Sequence, residues 1–89
     1  MNFFTYILYS ELRDRYYIGS TENIERRLER HNQGATKSTK SGRPWKVVYN
    51  EEYQTKSEAI KRELYIKRMK SRSYIESLIN SSKDKERPD

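Results

Sequence analysis

The spacing of apolar and polar positions changes along the chain, and each change marks an element. Phe3 to Tyr9 is rich in aromatic and branched residues, Glu11 to Arg15 is polar, and Tyr16 to Ile18 is aromatic and branched again. This predicts two antiparallel strands joined by a short loop. Gly19 and then Ser20-Thr21-Glu22-Asn23 punctuate the second strand with side chains that accept hydrogen bonds from the free N–H groups of a helix start. A first helix is expected from about Asn23 to Asn32, ended by Gly34, because glycine takes the left-handed conformation without a side-chain clash. Ala35 to Pro44 holds no large apolar residue and reads as a mobile loop. Trp45 to Tyr53, with Val47, Val48 and Tyr49, reads as a third strand. Thr55 and Glu58 have capping-box spacing for a second helix ending near Met69. Ser73 and Glu76 repeat that spacing for a third helix with Tyr74, Ile75, Leu78 and Ile79 on its apolar side. The fold class is therefore α/β of the α+β type, a three-stranded antiparallel sheet flanked by three helices. One domain is expected over residues 1–80, and 81–89, polar and charged with a late proline, is expected to be a disordered tail.

Two helical stripes carry charge where apolar residues belong. In the first helix Ile24, Arg27, Leu28 and His31 recur at three or four residues and share a face, while Glu25, Arg26, Glu29 and Arg30 lie round the other side. In the second, Ala59, Ile60, Glu63, Leu64 and Lys67 form the corresponding stripe, with Lys61 and Arg62 expected to face out. A charge on a buried line is costly unless it is paired or functional.

Composition narrows the chemistry. A chain of 89 residues supports one domain with a marginal core. With no cysteine, disulfides, thiolate zinc sites and cysteine nucleophiles are excluded. Met1-Asn2-Phe3-Phe4 turns polar too soon for a signal peptide, and no apolar run approaches the roughly 20 residues needed to span a bilayer; a soluble, cytoplasmic protein is expected. The net charge of +6 and a pI near 9.6 favour a polyanionic partner, either nucleic acid or an anionic surface.

Taken in order, Phe4-Thr5-Tyr6, Tyr17-Ile18-Gly19, Arg27, His31 and Glu63 within Lys61-Arg62-Glu63-Leu64-Tyr65-Ile66-Lys67 resemble the GIY-YIG nuclease superfamily, in particular its small stand-alone bacterial (UPF0213-like) group. The first motif keeps only its tyrosine and the second matches in full, and the resemblance runs from about Phe3 to Ile79. It implies the GIY-YIG endonuclease fold and metal-dependent hydrolysis of a phosphodiester by an in-line water. Tyr6, Tyr17, Arg27, His31 and Glu63 would be the catalytic residues, and Glu63 would hold the metal, Mg2+ or Mn2+. Asn80 is the candidate for the asparagine that some members use late in the site.

Each role suits its side chain. Tyr6 would take a proton from water, although a free phenol with a pKa of about 10 is a poor base near neutrality; Arg27, the metal and Tyr17 are expected to favour its anion. Tyr17 would orient or relay the proton, and His31 would accept it or pass it on. Arg27 can meet two phosphate oxygens with its planar fork. A single carboxylate at Glu63 leaves most of the metal shell to water and substrate, which suits magnesium. Structural readings stand beside these: the tyrosines as core packing, Arg27 snorkelling from a buried stem, His31 stabilising the carbonyl end of its helix, and Glu63 pairing with Lys67 one turn later.

Lys37, Lys40, Arg43 and Lys46, interleaved with serine and threonine, and Lys67 in the basic run from Lys56 to Arg72 are the candidate nucleic-acid contacts. Trp45 beside Pro44 is expected to pack under the loop rather than to stack on a base. Contacts to phosphate carry little sequence information, so a weakly selective nuclease is expected, acting on single-stranded or branched DNA, with RNA also open, and losing affinity as salt rises. The alternatives are a catalytically silent nucleic-acid-binding module of the same fold and a nuclease subunit that needs a protein partner. Repair, recombination, uptake of foreign DNA and mobile-element maintenance all fit such a chain.

Overall fold

Strand β1 (Phe3–Ser10) lies in the middle of the sheet, with β2 (Arg15–Thr21) on one side and β3 (Trp45–Tyr53) on the other, both antiparallel to it. The computed structural model describes residues 2–85. Helix α1 (Ile24–Asn32) follows β2, a 3₁₀ helix (Lys37–Gly42) precedes β3, and α2 (Lys56–Met69) and α3 (Arg72–Lys85) complete the chain. The α+β architecture and the three strands agree with the sequence pattern. Among the described residues no helix is long and apolar enough to cross a membrane.

The central position of β1 explains its nearly continuous apolar run: Thr5, Tyr6, Ile7 and Leu8 are all fully buried, on alternating faces. On one face Ile7 packs with Ile66 of α2 and Ile75 and Ile79 of α3. On the other Tyr6 and Leu8 pack with Trp45, joined by Tyr17, Ile24, Leu28 and Val47. Between Ile7 and Leu8 the register to β3 slips by one residue, from Tyr49 to Val47. That bulge leaves Val48 as the extra residue and lets Val48 and Tyr49 both reach the α2–α3 side.

The helix ends follow local chemistry. The Asn23 side chain accepts from Arg26 N at 3.0 Å and starts α1. Gly34, with φ +79°, ends it, and the next amide, Ala35 N, bonds back to Arg30 O at 3.1 Å. Thr55 Oγ1 accepts from Glu58 N at 3.2 Å at the start of α2. The third helix departs from expectation at both ends. Lys70 takes the left-handed conformation that closes α2, so Ser71, not Ser73, caps α3, accepting from Tyr74 N at 3.1 Å. The helix then continues through Lys85, into the stretch read as a tail; residues 86–89 lie outside the described residues.

Two further expectations are corrected. Ala35 to Pro44 is no loose loop, because its 3₁₀ helix buries Thr39 and Gly42, and Trp45 lies beneath it, donating from Nε1 to Thr39 O at 2.7 Å. Arg62 does not face out. Its Nε and Nη2 donate to the two oxygens of Glu51 on β3 at 2.9 and 3.1 Å, and the Tyr49 and Tyr53 hydroxyls donate to the same carboxylate. The inner line of α2 therefore passes through Ala59, Arg62 and Ile66, with Glu63 beside it and Leu64 49% exposed.

Burial opposes ionisation of Glu51, but the donations from Arg62, Tyr49 and Tyr53 outweigh it and hold its pKa below the ordinary carboxylate value. A depressed folded pKa contributes stability that is full above the unfolded value and lost as pH falls through the folded one. Glu51→Ala also strands the half-buried Arg62 guanidinium and two phenols, so a loss of about 2–3 kcal/mol is expected in urea denaturation at pH 7. The difference from wild type should shrink below about pH 4. A variant as stable as wild type at pH 7 would deny this network its role.

Candidate active site

Tyr6 and Gly19 are directly paired across β1 and β2, and the Tyr6 ring lies over the glycine. A Cβ at position 19 would stand 2.5 Å from Tyr6 Oη and 2.7 Å from Cζ, so the phenol takes its place only because residue 19 has no side chain. Tyr17, two residues earlier on β2, shows its ring to the same face. His31 of α1 is fully buried between them, its ring edge-on to Tyr17 with centroids 4.9 Å apart and its Nε2 3.2 Å from Tyr6 Oη. Nδ1 on the far side of the imidazole is 2.8 Å from Thr39 Oγ1. Arg27, one turn before His31, brings its guanidinium within interaction range of both phenols, and its Nε is buried with no hydrogen-bond partner among the described residues. The first-helix stripe of Ile24, Arg27, Leu28 and His31 is thus the face that meets the sheet.

Glu63 approaches from the opposite face. Neighbouring residues on a strand point to opposite sides, so Ser20, next to Gly19, faces α2 and donates from Oγ to Glu63 Oε1 at 2.7 Å. Lys67 Nζ meets Oε2 at 2.6 Å. β2 is an edge strand, so the tyrosines, Arg27 and His31 lie on one side of the sheet's margin and Glu63 on the other. A cleft of about 260 Å³ is lined by Ser20, Thr21, Glu22, Arg27 and Lys56, together with Phe3 and Ala59. Sequence reasoning missed Ser20 and Thr39, and it took Lys56 only as the start of a basic run. Strand alternation from Gly19 is the signal that places Ser20 towards α2; nothing in the local pattern marks Thr39.

Electrostatics revise the expected role of Tyr6. Burial pushes its phenol up to about 12; Arg27 pulls the other way but does not win, and Tyr17 adds to the rise rather than opposing it. Tyr6 is therefore a neutral phenol at pH 7. Burial, with the charges of Arg27 and Arg30, holds His31 below its ordinary value of 6.5, so the imidazole is neutral too. The two neutral groups meet in one hydrogen bond, between Tyr6 Oη and His31 Nε2 at 3.2 Å, whose direction follows the imidazole tautomer.

Of the expected nucleic-acid contacts, Lys37 and Lys40 are exposed on the 3₁₀ helix. Arg43 is exposed and donates from Nε to Lys40 O at 2.8 Å, Lys46 pairs with Glu11 at 2.7 Å, and Lys67 pairs with Glu63. Asn80 is exposed on α3 and joins none of the contacts above. Among the described residues no group of three or more acidic, histidine or cysteine side chains converges on a metal position. Glu63 alone fits a cation that keeps most of its water. Its side chain is 17% exposed, Ser20 fixes one oxygen, and the other is held by a lysine exposed enough to swing aside.

The model of the GIY-YIG catalytic domain matches residues 2–75, and the chain belongs to that family of nuclease domains. UPF0213 proteins of Staphylococcus aureus strains Mu50 and N315 are each 50% identical to it over 52 residues, which are 57% of this chain and 63% of theirs. The match thus spans somewhat less than two thirds of those relatives. The solution NMR structure of the UPF0213 protein BH0048 from Bacillus halodurans superposes with a TM-score of 0.56 at 31% identity, covering 90% of this chain and 84% of that one.

Proposed function

We propose that this chain is a cytoplasmic endonuclease that hydrolyses phosphodiester bonds in DNA with one divalent cation, Mg2+ or Mn2+, held at Glu63. The observation that carries the proposal is the contact of Tyr6 Oη with His31 Nε2, 3.2 Å apart, beside an arginine whose Nε has no hydrogen-bond partner among the described residues. Tyr6 need not ionise in advance. As a water molecule attacks phosphorus, its proton passes to Tyr6 Oη while the Tyr6 proton passes to His31 Nε2, so the phenol stays neutral and the charge rests on imidazolium. The bond from phosphorus to the leaving oxygen breaks opposite the attacking water. Tyr17 orients the water and walls the imidazole. Arg27 holds two non-bridging phosphate oxygens and meets the charge that grows on them. Glu63 would hold the cation, which would neutralise negative charge that develops as the phosphodiester breaks.

Single-stranded or branched DNA is the preferred substrate, since a phosphate at the sheet margin needs a strand free to bend over β2, and Lys37, Lys40 and Lys56 supply sequence-blind contacts. RNA meets the same phosphate requirements. The test is cleavage of labelled single-stranded, duplex and branched DNA with and without Mg2+. Products that require metal are expected, most from the branched and single-stranded forms. Binding without cleavage would instead support a silent binding module, and cleavage regained on adding cell extract would support a subunit that needs a partner.

The pH profile follows from the acceptor. His31 must be neutral to take the proton, and its folded pKa is depressed. The acid limb of kcat/KM should therefore fall below pH 6.5, with activity present above it and lost as pH drops. An acid limb centred above pH 7 would assign the acceptor role elsewhere.

A further inference from the structure

We infer that Thr39 is a positioning residue: its hydroxyl fixes neutral His31 as the Nδ1–H tautomer, keeping Nε2 open as the acceptor for the Tyr6 proton. The tautomer stands on hydrogen-bond geometry, and its consequence for catalysis rests on the nuclease reading above.

Both ends of the imidazole give the same answer. Thr39 is fully buried, and the 3₁₀ helix holds it in place. Its amide donates to Thr36 O at 3.2 Å, its carbonyl accepts from Trp45 Nε1 at 2.7 Å, and its Oγ1 donates to Thr36 O at 3.3 Å. A hydroxyl has one proton and two lone pairs. With the proton given to Thr36, a lone pair faces His31 Nδ1 at 2.8 Å, and that nitrogen carries the hydrogen. At the other end Tyr6 is fully buried and its O–H needs an acceptor. Arg27 beside it has donors only, and His31 Nε2 is 3.2 Å away. The opposite tautomer would leave the Tyr6 proton without an acceptor among the described residues. The groups facing His31 are Tyr6 from β1, Tyr17 from β2 and the cations Arg27 and Arg30 from its own helix. No anion among these competes with Thr39 for the Nδ1 proton.

His31 is the sole histidine of the chain, so selective 15N-histidine labelling yields one imidazole, and its two-bond 15N–1H correlations at pH 8 read the tautomer without any cleavage assay. Wild type and Thr39→Ser should show Nδ1–H, and Thr39→Val, which keeps the shape and removes the hydroxyl, should shift towards Nε2–H. In the Mg2+-dependent cleavage assay Thr39→Val should lose about tenfold or more in kcat with KM little changed, and Thr39→Ser should restore it. An Nε2–H wild type, a Thr39→Val chain that keeps Nδ1–H, or one that shifts tautomer and still cleaves at the wild-type rate would each overturn the inference. The wild-type spectrum decides the tautomer even if Thr39→Val does not fold. A wild-type chain that shows Nδ1–H yet cuts no DNA would sink the nuclease reading and leave the Thr39–His31 geometry standing.

Discussion

Glu63→Ala is expected to lower Mg2+-dependent cleavage by at least about a thousandfold while costing less than about 1 kcal/mol of stability. A metal that stabilises developing charge supplies several kcal/mol to the transition state, and about 4 kcal/mol corresponds to a thousandfold in rate. Among the described residues no group of three or more acidic, histidine or cysteine side chains stands in for it. The folding cost is small because the partners lose little: Lys67, 46% exposed, returns to water, and Ser20 is only half-buried. Cleavage of a labelled branched oligonucleotide and thermal denaturation of both chains check the two halves together. Glu63→Gln keeps the shape and should be as inactive. A folded Glu63→Ala chain retaining a tenth of wild-type activity would place the cation elsewhere.

Gly19→Ala should also disable the chain, through sterics. The added methyl would meet Tyr6 at 2.5 Å from Oη and 2.7 Å from Cζ, inside the closest approach carbon tolerates. Tyr6 is fully buried and paired residue for residue with Gly19, so neither strand can slide aside without losing register. The phenol must tilt away from His31 and the strands must part slightly. Overpacking of this kind costs about 1–3 kcal/mol, and misplacing a reacting group by about 1 Å costs about a hundredfold in rate. Equilibrium denaturation and single-turnover cleavage measure the two effects separately. A stable Gly19→Ala chain that cleaves at the wild-type rate would show that the position of Tyr6 over β2 is not what the reaction requires.

The parts of the site legible in the sequence are those set by short-range periodicity. Arg27 and His31 are one turn apart among Ile24 and Leu28, and a helix can do only one thing with that spacing. Strand β3, the capping stretch Ser20 to Asn23, Gly34 and Thr55 were legible for the same reason, since neighbouring residues decide them. What escaped was decided at long range. Ser71 outcompetes Ser73 as a cap because α2 closes at a left-handed Lys70. Arg62 turns inward because Glu51, eleven residues away on β3, is there to receive it. Thr39 is one polar residue in a polar stretch until the fold brings His31 and Trp45 to it.

Arg62 and Glu63 are consecutive, and on a helix consecutive side chains point about 100° apart. With Arg62 clamped by two hydrogen bonds to Glu51 on β3, α2 is stopped from rolling about its own axis, and the stop leaves Glu63 aimed across β2 at the sheet's far margin. The network that reads as plain structural support on one edge of the sheet is thus the gunsight for the proposed metal carboxylate on the other. Apolar repacking of Glu51 and Arg62 that kept the chain folded would free the helix to turn and let that aim drift.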